Sequence, residues 1–571
     1  MTALNALTVL TEALMPHLML APVLLPLLAA ALMLLLRDEH QRLKLALNLG
    51  ACLLGLLVSI TLLLWADRPG ATPDVYLAGN WRAPYGIALV LDRLSALMLV
   101  LTSSVALATA LFAAARWHRA GVHFHPLFQL QVMGLCGAFL TADLFNLFVF
   151  FEIMLAASYG LLLHGSGRAR VQAGLHFIAI NLAASSLFLI GASMLYGITG
   201  TLNMADLAQG IAQVAPADRG LLHAAAGILA TAFLIKAAIW PLNFWLVPAY
   251  SAATAPVGAL FAIMTKVGIY AILRLWMLLF GQDAGESAQF GSLWLIGGGM
   301  VTMALGGLGM LGAQRLGHLA GFAAILSSGT LLAAAGFAQP MLTAGLLYYL
   351  PSSTLAVCAL FLLTDLIDRW RNDGANFAPF EEKDDAPFLN AQLVPAEGLN
   401  RDADETILTG QVIPAAVAFL GLAFMACTLV ITGLPPLSGF VGKFAMLTAL
   451  LNPLGLGASG GLQPGPAGWM LVALLIGTGL LGLVALTRAG IRHFWTTHDR
   501  PAPQLRVLEG LPIAALLLAC AALTVQAGPA MRYAQSTADA LHDPRAYVGA
   551  VMSAEPLAGP QTPASPSGES P

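Results

Sequence analysis

LATAFLIKAAIWPLNFWLVPAY, residues 229–250, sets a lysine in the middle of an apolar span and a proline five residues later. A lysine at the bilayer centre costs roughly 2.5 to 3.5 kcal/mol on insertion scales, whereas each neighbouring Leu, Ile, Phe or Val contributes only about 0.3 to 0.6 in favour. The span still inserts, and a charge kept at that cost points to ion handling. Pro241 lacks the N–H that would bond the Ala237 carbonyl, so the helix is expected to break beside Lys236. Such a break is tolerated at membrane depth where it lines a wet cavity.

Working outward, the 571 residues are 58% hydrophobic and only 10% charged. Soluble domains carry about 25% charged residues. The chain is therefore an all-α polytopic membrane protein, and a net charge of −3 gives no case for nucleic acid. Cys52, Cys136, Cys358, Cys427 and Cys520 stand singly in apolar runs with no CxxC, which argues against disulfides, iron–sulfur clusters and zinc. No cofactor is expected. The first residues lack the basic region of a signal peptide, so the first span is expected to be retained.

Apolar segments recur near residues 18–36, 43–65, 88–115, 127–141, 143–163, 171–197, 221–247, 254–280, 290–312, 315–337, 340–367, 411–451, 467–490 and 508–527, about fourteen spans. With the N-terminus outside, sixteen of the 26 Lys and Arg fall in inner loops, seven outside, and Lys236, Lys266 and Lys443 within spans. That bias supports a topology with both termini outside. Residues 368–410 form one long acidic insertion, expected to be a flexible cytoplasmic segment, and the polar, Pro-rich tail after Gly528 reads as disordered.

Four ionisable residues lie deep in spans: Glu152, Lys236, Lys266 and Lys443. Groups of this kind, able to trade protons when paired or parted, make a proton relay. Asp143 is nine residues before Glu152, about 13 Å along a helix, and reads either as an entry group or as an N-cap. His176 and His318 are candidates to shuttle protons, with His318 a candidate accessory of the relay, although a lone His in such a position is more often a packing residue. His118, His123 and His125 lack a carboxylate or Cys partner, so no metal is expected there.

Pro435 and Pro436 interrupt the twelfth span as Pro241 interrupts the seventh, with Lys443 about two turns on. The breaks are five spans apart. A five-span repeat holds an odd number of crossings, so its second copy is inverted, as in secondary transporters. The expected organisation is N-terminal helices over 1–126, repeats over 127–281 and 282–495, and a last span and tail over 496–571.

At these residues the chain resembles the antiporter-like subunits shared by respiratory complex I and Mrp-type (Mnh, Pha) cation/proton antiporters, most closely the D-type Mrp subunits. The matching stretches are GNWRAPYGIALVLDRLSALMLVLTS, DLFNLFVFFEIMLAASYGLL, LIKAAIWPLNFWLVPAY, APVGALFAIMTKVGIYAILR, GLPPLSGFVGKF and ALTRAGIRHFW. The resemblance implies a proton-carrying subunit of a multi-subunit monovalent cation (Na⁺ or K⁺)/proton antiporter in a bacterial inner membrane. Its partners would be the other subunits, protons, monovalent cations and lipid. The alternative it allows is a membrane-arm subunit of complex I or a membrane hydrogenase. It further implies Glu152 and Lys236 as a coupling pair, Lys266 as the central relay and Lys443 as the distal proton site. Between Lys266 and Lys443 this chain has hydroxyls in place of titratable groups: Ser327, Ser328, Thr330, Tyr348, Tyr349, Ser352 and Ser353. Protons are expected to cross there on water ordered by the hydroxyls.

Overall fold

A computed structural model of the chain describes residues 15, 17–119, 121–165, 167–371, 414–452, 464–495 and 503–556. Helices α1 (Ala21–Leu35) and α2 (Gln41–Ala66) precede an antiparallel hairpin of β1 (Asp74–Leu77) and β2 (Ala88–Leu91). The chain continues through α3 (Arg93–Ala115), α4 (Phe124–Leu140), α5 (Leu144–Leu162), α6 (Arg168–Thr199), α7 (Met204–Ile211), α8 (Arg219–Lys236) and α9 (Leu246–Ala252). Next come α10 (Ala255–Leu279), α11 (Ser292–Gly312), α12 (Leu316–Gly336) and α13 (Pro340–Arg371). The last are α14 (Ala415–Thr432), α15 (Ser438–Leu451), α16 (Pro466–Gly490), α17 (Val507–Val525), α18 (Ala527–His542) and α19 (Arg545–Met552).

Among the described residues twelve helices are long and apolar enough to cross a membrane, and α1, α4 and α15 are shorter apolar helices. Every stretch read as a span contains one of these, so the chain is an all-α polytopic membrane protein. The most apolar stretches of α10 and α13 are wholly buried in the protein, whereas only 22% and 28% of those of α2 and α17 are. Burial on all sides puts the polar groups of α10 and α13 out of reach of lipid, where each must find a partner within the protein.

Both expected breaks are present, but the first starts upstream of its proline. Helix α8 ends at Lys236, and Ala238 takes a positive φ of 56°. The Ile239 N–H reaches back to the Leu234 carbonyl, and the Trp240 N–H leaves the helix for the Thr302 hydroxyl at 2.9 Å. The expected gap at the Ala237 carbonyl is thus replaced by a non-helical run over 237–245, consistent with Trp240 being kept from the α region by the proline after it. The second break follows the sequence more closely: Gly433 ends α14 in the left-handed region (φ 78°), Pro435 and Pro436 lie in the linker, and Ser438 opens α15.

The tail needs correction. Residues expected to be disordered form α18 and α19, and the former buries Ala534, Thr537, Ala538 and Leu541, a spacing that makes one helix face. That face packs on α13, while Tyr547 of α19 lies over the Arg274 guanidinium at 5.0 Å. Small and polar average composition conceals this spacing. Residues 372–413, nearly all of the expected cytoplasmic insertion, and residues 557–571 lie outside the described residues.

Polar contacts at the helix ends group the charges. Arg369 with Glu509, Arg506 with the Ala115 carbonyl and Arg492 with Gln314 gather residues counted as inner. Asp92 with Arg274, Asp67 with Arg93, and Arg219 with Glu286 gather the outer ones. The Asp92–Arg274 pair is buried and bidentate, both bonds 2.7 Å, and Asp92 also caps α3 through the Ser95 N–H.

Candidate functional site: three buried lysine stations

The first station is built by three helices, each giving one phenylalanine and one polar group. Helix α5 supplies Phe151 and Glu152, α6 supplies Phe188 and Ser185, and α8 supplies Phe233 and Lys236. The three rings pack edge to face, with centroids 5.4 to 6.1 Å apart. The Lys236 ammonium lies 5.0 Å from the Phe151 ring centre, a cation–π contact, and makes no hydrogen bond among the described residues. Glu152 accepts a hydrogen bond from the Ser185 hydroxyl. Glu152 and Lys236 are therefore neighbours without an ion pair within 4.0 Å. The resemblance implies Glu152 and Lys236 as a coupling pair; in this structure the ammonium rests on Phe151 and the carboxylate is bonded to Ser185.

At the second station α10 carries Lys266. Its ammonium donates to the Ser327 hydroxyl of α12 at 2.9 Å, Ser327 donates to Ser353 of α13 at 2.9 Å, and Ser353 donates to the Leu350 carbonyl. The Tyr349 phenol faces Ser327, Ser353 and Thr330. Three enclosed helices thus share one continuous file of donors pointing away from the lysine. The expected water-carried crossing is replaced at its start by direct contact. Ser352 turns elsewhere, to the Ser438 hydroxyl at 2.8 Å, where α15 begins. Thr330 bonds its own helix at Leu326, and Tyr348 reaches the Leu523 carbonyl of α17, so neither extends the file. Ser328 has no hydrogen-bond partner among the described residues.

The third station is the second break. Lys443 lies on α15, 6% exposed, and its ammonium donates to the carbonyls of Thr432 at 2.8 Å and Ile431 at 3.4 Å. Those carbonyls end α14, where helix termini leave acceptors free and the macrodipole favours a cation. Gly433 lies against the lysine stem and Gly479 beside its ammonium: a Cβ on Gly433 would lie 2.5 Å from the Cδ, and one on Gly479 3.6 Å from the Nζ.

The remaining residues singled out in the sequence lie apart. Asp143 is the N-cap of α5, its carboxylate accepting from the Asn146 N–H at 2.9 Å. His318 is half-buried in the first turn of α12, nine residues from Ser327, about 13 Å by helical rise. His176 is exposed and bonds the Gln172 carbonyl. His118 and His125 approach within 5.7 Å ring to ring, with no metal-holding group of His, Cys, Asp or Glu among the described residues. Sequence reasoning missed Ser185, Thr302 and Ser438. Ser185 falls in LAASSLFLIG, where hydroxyls beside apolar residues usually bond their own helix, so no local signal marks it.

Comparison with known proteins fits this arrangement. Residues 141–374 match the family described as NADH:quinone oxidoreductase/Mrp antiporter, TM. The chain is 50% identical over 548 residues to a D-type subunit of a probable K(+)/H(+) antiporter of Rhizobium meliloti, covering 95% of this chain and 99% of that one. It is 32% identical to the D-type subunit of the Na(+)/H(+) antiporter of Alkalihalophilus pseudofirmus, covering 94% and 100%. Among solved structures its fold is similar to a chain of the Mrp complex from Dietzia sp. DQ12-45-1b, with TM-score 0.77 at 24% identity over 94% of this chain and 99% of that one. A chain of respiratory complex I from Thermus thermophilus has TM-score 0.70 at 22% identity, covering 94% and 100%. The broken helices, the buried lysines and near full-length likeness to two D-type antiporter subunits together assign the chain to the NADH:quinone oxidoreductase/Mrp antiporter family of membrane subunits, on its D-type branch.

Proposed function

We infer that this chain is the proton-translocating subunit of a multi-subunit monovalent cation/proton antiporter in a bacterial cell membrane. The observation that carries this reading is the set of three buried lysines, of which the central one begins a file of hydrogen-bonded hydroxyls. Glu152 and Lys236 load and couple, Lys266 is the central relay, beside which Ser327 and Ser353 set out the first hydrogen bonds of the way onward, and Lys443 holds the distal site at the second break. The breaks at Pro241 and Pro435/Pro436 belong to two inverted repeats, residues 127–281 and 282–495, so that half-helix ends meet near midplane. Transport of this kind forms no covalent intermediate with the protein. High identity to a K(+)/H(+) antiporter relative favours K⁺ as the exchanged cation. The redox-complex alternative has weaker support, since the likeness to complex I is one of fold at 22% identity.

The test is exchange by the assembled complex in everted membrane vesicles. Lys236→Ala and Glu152→Ala each abolish exchange while the protein still inserts, because each removes a titrating group without adding charge. Lys236→Arg also fails, since a guanidinium does not release its proton at working pH. Near-normal exchange in all three variants would sink the relay assignment.

A further inference from the structure

Lys236 presents an imbalance. A buried ammonium normally has hydrogen-bond acceptors, yet this one has a ring face, while the adjacent carboxylate is occupied by a serine on another helix. Ser185 is 6% exposed, and its hydroxyl, unlike those of Ser158 on α5 and Ser186 beside it, is directed at a side chain rather than a backbone carbonyl of its own helix. Phe151 lies against the ammonium with Phe188 and Phe233 packed on its ring, and the carboxylate bonded to Ser185 stands near two further polar groups, the Lys236 ammonium and the Tyr159 hydroxyl, each without a hydrogen-bond partner among the described residues. We propose that Ser185 is a positioning residue of the relay, holding Glu152 in a parted state from which the carboxylate swings onto Lys236.

This inference rests on the relay reading of Glu152 and Lys236 and adds the group that competes with the lysine. The two states differ in one exchange of partners. Parted, Glu152 accepts from Ser185 and the ammonium rests on Phe151. Joined, the carboxylate accepts from Lys236 and the Ser185 hydroxyl turns to a carbonyl one helical turn back, as serines in membrane helices commonly do. A hydroxyl donating to a carboxylate makes a charge-assisted bond, strong enough to hold the parted state yet weaker than a full ion pair in the same surroundings. The aromatic contact steadies the ammonium while its partner is away. Without the hydroxyl, Glu152 and Lys236 stay joined and the turnover step that needs them parted slows.

The experiment measures exchange and its dependence on cation concentration in vesicles carrying the assembled complex, for Ser185→Ala, Ser185→Cys and Ser185→Thr, with Glu152→Gln alongside. Expected is a fall in maximal rate of about tenfold for the alanine and cysteine variants, the scale of one lost charge-assisted bond, with the apparent cation KM unchanged. The threonine variant, which keeps the donor, stays within about twofold of wild type. Cysteine matches serine in shape but donates weakly, so a packing role would spare cysteine and harm threonine; that pattern overturns the proposal. So does full activity in Ser185→Ala. If Glu152→Gln exchanges normally, the relay reading falls and the inference with it; if Glu152→Gln is dead while Ser185→Ala is normal, the inference alone falls. Should the alanine variant fail to assemble, the cysteine and threonine pair decides the matter.

Discussion

Lys443 stands on α15, yet its ammonium donates at 2.8 Å to the carbonyl of Thr432, the last residue of α14. The lysine thus bridges the second break, held by the carbonyl end of one half-helix while rooted in the next. Any change in its charge alters the link between the two halves, since a neutral amine is a far weaker donor to that end of the dipole. The ammonium reaches the end of α14 through two carbonyls, those of Thr432 and Ile431.

Gly433→Ala tests that link. Its Cβ would lie 2.5 Å from the lysine Cδ, on a backbone at φ 78° that alanine adopts at a cost of about 1 to 2 kcal/mol. Exchange is expected to be lost while the protein still inserts and assembles, as read by vesicle assay and by recovery of the complex on a sizing column.

Ser327→Ala removes the acceptor for Lys266 and the donor to Ser353 together. We expect exchange to drop by about tenfold or more, given one charge-assisted and one neutral bond lost. Ser353→Val should be more damaging than Ser352→Val, because Ser353 accepts from Ser327 whereas Ser352 pairs with Ser438. Equal, mild effects in the two valine variants would mean that protons leave Lys266 by another way.

Gly268 lies two residues beyond Lys266 and lets α10 approach the end of α8. A Cβ there would meet the Ala237 nitrogen at 2.6 Å and the Phe233 carbonyl at 2.7 Å, both backbone atoms that cannot turn aside. Gly268→Ala is expected to destabilise the protein by about 1 to 3 kcal/mol and to slow exchange by moving Lys236 relative to Lys266. Thermal unfolding of the purified complex and vesicle exchange measure the two effects separately.

Stability should depend on pH through His118, in the helical turn Trp117–Arg119 between α3 and α4. Burial, then the Arg119 and His164 charges, pulls its imidazole down from the usual 6.5 to about 4. A group lowered in the folded state is neutral there while the unfolded chain binds the proton. The contribution is therefore full above about pH 6.5 and is lost as pH falls towards about 4. A His118→Gln complex should show a flatter decline in melting temperature between pH 7 and pH 5 than the wild type; parallel curves would refute this.

Much of the fold was written in the chain locally. Apolar run length marked the spans, because a continuous apolar run that long satisfies its backbone polar groups in lipid by coiling into a helix, and the prolines marked both breaks. Charge within apolar spans singled out Glu152, Lys236, Lys266 and Lys443, since an ionisable side chain at that depth stands out against any apolar neighbourhood. The helical tail was illegible from composition, although its spacing at Ala534, Ala538 and Leu541 was present in the sequence.

The partner of each charge, by contrast, was a matter of packing. Whether Glu152 meets Lys236 or Ser185, whether Lys266 needs water or finds Ser327, and which carbonyls hold Lys443 depend on how separate helices turn toward one another. Hydrogen bonds act over about 3 Å and along a direction, while one residue of helical rotation carries a side chain through about 100°. The order of residues settles where the ions sit along their helices; the way the helices pack settles what each one touches, and hence by which bonds a proton can pass.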